Sequence, residues 1–152
     1  MALVILDAES LSLKSGFVEA LQQTLTAQFD FKHLSYTVEV ANLDEETMRE
    51  LNHEQRGKDS ATDVLSFPLF GTLEEILNQQ TPEVPLGNLV TCSTYATTQG
   101  TPIEELILHG CLHLLGFDHE TDLATWLNQE QASTTAMATL GYTLTGIEKG
   151  YL

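Results

Sequence analysis

Three histidines in the stretch HGCLHLLGFDH, His109, His113 and His119, have the spacing of ligands that can close on one metal ion. A helix advances about 100° per residue, so side chains four apart share a face and their imidazole nitrogens can converge. His109 and His113 form that pair. Gly116 follows the helical run, where glycine can take the left-handed conformation that ends a helix, and the chain then doubles back to present His119. Cys111 points about 200° away from His109 around the helix and reads as a core residue, not a fourth ligand. Three imidazoles leave one coordination position open, the arrangement of catalytic rather than structural zinc, and bound zinc lowers the pKa of its water from about 15.7 to about 7. Nickel, copper and iron accept the same donors. A lone histidine is more often an ordinary polar residue, and His33 and His53, each isolated in polar surroundings, are expected at the surface.

The elements that must position these ligands are legible nearby. Thr101, Pro102, Ile103 and Glu104 form a capping box with proline at the first helical position, which predicts a helix over about 102–115. Its apolar residues cover most of the circumference, so the helix should be largely buried and serve as a rigid platform. Upstream, Ala2 to Leu6 reads as a strand, and Leu13, Phe17, Leu21 and Leu25 mark a helix over about 12–28. Tyr36, Val38 and Val40 alternate with Thr37 and Glu39 in a strand with one buried face. Asp44 caps a short helix ending near Asn52, with Met48 and Leu51 inward. A polar loop leads to a strand at about 63–67, and Leu73, Ile76 and Leu77 allow a turn or two of helix. Pro82 and Pro85 indicate a surface excursion before a strand at about 86–92 and a polar stretch. The last helix runs over about 122–140, with Leu123, Trp126, Leu127, Met137 and Leu140 on one face. The expectation is one α+β domain over residues 1–152, with about four strands in a mixed sheet and four to five helices.

Composition narrows the function classes. A hydrophobic content of 42% suits a soluble globule, and no apolar run is long enough to span a bilayer. Ala2 to Leu6 is too short for a signal sequence, and the two cysteines, Cys92 and Cys111, fit a reducing cytoplasm. A net charge of −16 opposes a broad surface for polyanions. Half of the basic residues, Arg49, Arg56 and Lys58, nevertheless fall in one short segment.

The offsets of His109, His113, Gly116 and His119 match the metzincin protease pattern, but Gly110 stands where those enzymes carry the glutamate general base, which disfavours a peptidase. The same string resembles the H-G-x-L-H-L-x-G-Y-D-H signature of the YbeY family of bacterial metal-dependent endoribonucleases. Leu51 and Asn52, Arg56 to Asp59, TDVLSFP at 62–68 and the LGY at 140–142 resemble further blocks of that family in the same order. Phe117 replaces the usual Tyr, and Asn88 stands where the family has Asp.

The resemblance implies a zincin-like site on the buried helix, with one zinc per chain on His109, His113 and His119. It also implies a cleft for an RNA strand in which Arg56 serves nuclease activity. A guanidinium can bind two non-bridging oxygens of a phosphodiester, and Lys58 can hold the neighbouring phosphate. Asp118, next to a ligand, can orient His119 or move protons. The activity implied is a single-strand-specific endoribonuclease of ribosomal RNA maturation, at the small-subunit 3′ end, and of ribosome quality control. The implied partners are ribosomal RNA, small-subunit ribosomal proteins or an assembly GTPase, with neither DNA nor a membrane. The alternatives are a ribosome-assembly binding factor with a structural metal, which the acidic surface would suit, and a metallohydrolase of another substrate such as peptides.

Overall fold

Alternation of apolar and polar residues builds the sheet on which the site rests. In the computed structural model, which describes residues 3–6, 11–29, 31 and 35–144, β2 (Ser35–Asn42) buries Tyr36, Val38 and Val40 on one face. It pairs in parallel with β4 (Glu83–Thr91), and β3 (Val64–Pro68) joins β4 antiparallel. The backbone of β1 (Leu3–Leu6) runs parallel to β2, giving the order β1-β2-β4-β3. Among the described residues six helices accompany the sheet: α1 (Phe17–Gln28), α2 (Glu45–Arg56), α3 (Leu73–Leu77), α4 (Ser93–Gln99), α5 (Ile103–Leu114) and α6 (Leu123–Thr139). The main core joins Phe17, Leu21 and Leu25 of α1 to the sheet, to α5, and to Trp126 and Met137 of α6.

Several expectations are corrected, each for a local physical reason. Helix α1 starts at Phe17, after Gly16, so Leu13 packs from the preceding loop. Helix α2 has the expected cap, with the Asp44 carboxylate accepting from Thr47 N at 2.7 Å, but it continues past Asn52 to Arg56 and stops at Gly57. The polar run HEQR is therefore the solvent-exposed last turn of a helix and not a loop. Strand β4 begins at Glu83 and contains Pro85, where the prolines pointed to an excursion. Proline is tolerated there because β3 pairs with β4 only from Gly87 onward, so that side of β4 is an edge, and because the register with β2 shifts between Thr37 and Val38.

The polar stretch STYATTQ is a further helix, which takes the count above the expected four to five. Its start is held from outside: Asn42 Oδ1 accepts from Ser93 N at 2.9 Å and from Thr91 Oγ1 at 3.1 Å. The hydroxyls of Thr97 and Thr98 then donate to the carbonyls four residues back. At the start of α5 the capping box does not form, since Pro102 is the cap residue and no side chain accepts from the first turn.

On α6 the buried stripe is Trp126, Glu130, Ser133 and Met137, spaced by four, three and four. Leu123, Leu127 and Leu140 are 36–37% exposed, contrary to expectation: Leu127 stands about 100° round from Trp126, and Leu123 and Leu140 lie at the two ends of the helix. Two of the four buried positions are polar, which is why hydropathy alone misjudged the face. Ser133 is accommodated because its hydroxyl donates to Gln28 Oε1 at 2.9 Å. Among the described residues no helix is long and apolar enough to cross a membrane. His33 lies outside the described residues, and His53 is exposed.

Candidate active site

Helix α5 is buried almost from end to end, Glu104 and Glu105 included. It lies close against β4 because Gly110 has no side chain: a Cβ there would stand 2.6 Å from Leu89 Cδ2. The residue that replaces the metzincin glutamate is thus a packing contact with the sheet. The helix ends in a Schellman motif, with Phe117 N donating to Leu112 O and Gly116 N to His113 O, both at 3.0 Å. Gly116 supplies the required left-handed backbone, φ 98°, and a Cβ there would meet Leu73 N at 2.8 Å. This turn brings His119 back over the helix.

The three histidines converge as their spacing predicts. Each offers a ring nitrogen, and these lie within 4.8 Å of one another. His109 Nε2 and His113 Nε2 are 3.2 Å apart. Two nitrogens that each sit about 2.0–2.1 Å from one tetrahedral zinc stand roughly 3.3 Å apart, so the observed pair fits a shared ion. Burial pushes the His109 pKa down to about 3, assisted by the neighbouring His113 and His119. His113 is lowered in the same way, by burial first and then by His119, against the opposing charge of Asp118. Neutral imidazoles with available lone pairs are the form that binds a metal, so the group can hold one. Cys111 is fully buried, its thiol pushed up to about 12, and belongs to the core.

The histidines lie in a cleft of about 1230 Å³ that is also lined by Arg56, Lys58 and Asp118. Arg56 and Lys58 are exposed, on the last turn of α2 and the loop after it. Asn52 ties this loop down: it is buried, and its Nδ2 donates to Ser60 O at 2.8 Å. Arg49, the third member of the basic segment, points elsewhere and faces Asp59 at 3.6 Å on the surface. The Asp118 carboxylate accepts from Glu120 N at 2.9 Å and so shapes the loop that carries His119. Asn88 is exposed on β4 and does not line the cleft.

Three acidic residues in the cleft, Asp63, Glu105 and Glu120, are given no role by the sequence motifs. Asp63, just before β3, has its carboxyl raised chiefly by burial, against hydrogen bonds from Val64, its own backbone and Thr62 and, least of these, the charge of Arg56. Glu105 lies one turn before His109 on the same face of α5 and is buried. Its four-residue offset from His109 was the available signal.

A family model described as endoribonuclease YbeY matches residues 6–138. The chain belongs to the YbeY family. A family protein from Helicobacter pylori, named endoribonuclease YbeY, is 38% identical over 121 residues, covering 74% of this chain and 78% of that protein. A similarly named Sulfurimonas denitrificans protein is 33% identical over 129 residues, or 80% of this chain and 81% of its own. The corresponding Sulfurovum protein is 42% identical over 93 residues, a match spanning 56% of this chain and 61% of the relative's length. A Thermotoga maritima protein solved in solution shares the fold, with a TM-score of 0.51 at 24% identity over 91% of both chains.

Proposed function

We propose that this chain is a zinc-dependent, single-strand-specific endoribonuclease acting in the cytoplasm, in maturation of the small-subunit ribosomal RNA 3′ end and in ribosome quality control. One observation carries this reading: three converging histidines share a cleft with Arg56 and Lys58, exposed cations on an otherwise acidic protein. The names of the family relatives, each an endoribonuclease, support the choice of RNA. His109, His113 and His119 hold the ion, which when bound supplies Lewis acidity and an activated water.

The remaining groups act on the substrate. Arg56 binds two non-bridging oxygens of the phosphodiester and stabilises the charge that accumulates there during attack, and Lys58 holds the adjacent phosphate. Asp118 keeps the His119 loop in shape. With a net charge of −16, the protein opposes the approach of RNA at long range, and Arg56 and Lys58 are the two cations lining the cleft among the described residues. The cleft therefore suits a few nucleotides of a single strand, with basic small-subunit ribosomal proteins or an assembly GTPase completing the docking. The domain acts as one unit over residues 1–152.

The test combines elemental analysis of the purified chain with cleavage assays on single-stranded RNA, duplex RNA and casein. About one zinc per chain and cleavage of single-stranded RNA alone are expected, with the Arg56→Ala variant reduced on the order of 100-fold or more. Cleavage of casein, or RNA cleavage indifferent to Arg56→Ala, would overturn the assignment.

A further inference from the structure

The three imidazoles share one neighbour that belongs to neither α5 nor the loop after it. Trp126, on the first turns of α6, has its ring centroid 4.8 Å from that of His109, 4.7 Å from His113 and 5.1 Å from His119. It stands edge to face with His109 and His119, at 65° and 84°, and is tilted by 32° from His113. Its side chain is fully buried. All three histidines line the cleft and Trp126 does not, so the imidazoles have open space on one side and the indole at their back.

We propose that Trp126 is a positioning residue for the metal centre: one rigid indole packs against all three ligand rings, holds them in the converged orientation and seals the centre on the side away from the cleft. The inference rests on the metal reading above. Two ligands stand on a rigid helix, whereas His119 stands on a loop, and its ring needs a partner from outside that loop to fix its direction. Trp126 supplies that partner and touches the helical pair as well, so the third ligand is registered against the first two. A flat aromatic surface does this where an aliphatic side chain of similar volume does not, because edge-to-face packing sets a ring's direction as well as its distance. Ligands held in this way bind without first being ordered, and loss of such support typically weakens metal affinity by about 10–100-fold.

The full chain, Trp126→Phe and Trp126→Leu are stripped of metal and titrated with Co²⁺, reading affinity by chelator competition and ligand geometry by the visible d–d bands. Affinity is expected to fall about 10-fold in Trp126→Phe and up to about 100-fold in Trp126→Leu, with altered d–d bands in both. A residue that only fills the core would lower the unfolding temperature and leave affinity and spectrum unchanged. That result in the folded variants overturns the proposal, and if Trp126→Leu does not fold, Trp126→Phe decides by the same readouts. A wild-type chain that takes up no Co²⁺ overturns the metal reading and this inference with it, whereas equal binding by all three chains overturns this inference alone. Trp126 is also the sole tryptophan, so Co²⁺ should quench nearly all the tryptophan emission of the wild type and fail to do so in His113→Ala.

Discussion

The two walls of the cleft are built on opposite principles. The histidine wall is a buried helix locked to the sheet at Gly110, closed by a Schellman turn at Gly116 and backed by Trp126. The cationic wall is the exposed end of α2 and the loop after it, with Asn52 as its one buried hydrogen-bonding anchor among the described residues. The difference fits what each wall does in the function proposed above. Metal ligands have to converge within tenths of an ångström, and only a packed interior fixes atoms so closely. Groups that meet a flexible polyanion work through charge, which tolerates movement and profits from access to solvent.

Substitutions can break this contrast, beginning with the largest effect. Replacing His113 with alanine removes one of three donors, so metal content should fall from about one ion per chain to near zero by elemental analysis, with the fold retained by circular dichroism. Retained metal would show that the three histidines are not the ligand set. Gly116→Ala comes next. It puts a side chain at φ 98° and drives a Cβ against backbone atoms of Thr72 and Leu73, which have little freedom to yield. A loss of roughly 3 kcal/mol by urea denaturation is expected, combining left-handed strain with overpacking.

A pH titration of the metal-free protein sharpens the comparison further. His109 has a pKa of about 3 when folded and an ordinary value near 6.5 when unfolded. Between these values the unfolded chain holds a proton that the folded chain does not, so stability falls as pH drops from about 6.5 toward 3. By pH 5 the His109 contribution alone should cost about 2 kcal/mol, read as a lower urea midpoint than at pH 7. An unchanged midpoint would mean that His109 is solvated. The smallest effect belongs to the other wall. Arg56→Ala removes an exposed side chain and should shift stability by less than about 0.5 kcal/mol while RNA cleavage collapses, whereas a large stability loss would assign Arg56 a role in the fold.

Much of the histidine wall was legible in the sequence, because it obeys local rules. Four-residue spacing puts His109 and His113 on one face, and a glycine after an apolar run predicts the turn that returns His119. The strands of alternating pattern and the capped start of α2 were readable for the same reason. Where local rules and tertiary contacts disagreed, the contacts prevailed. STYATTQ is helical because Asn42 holds its start from another strand, and the buried stripe of α6 includes Glu130 and Ser133 while Leu123, Leu127 and Leu140 stay partly exposed.

By itself the sequence determined the three-histidine group, the turn that joins its parts and the cluster of scarce cations, since each depends on residue type and spacing over a few turns of chain. Only the tertiary structure decided which cations line the histidine cleft, that Gly110 marks the approach of α5 to Leu89, and that one tryptophan from α6 stands behind all three imidazoles. Those facts are set by how elements distant along the chain pack, and packing follows the joint shape of many side chains, which no local periodicity records.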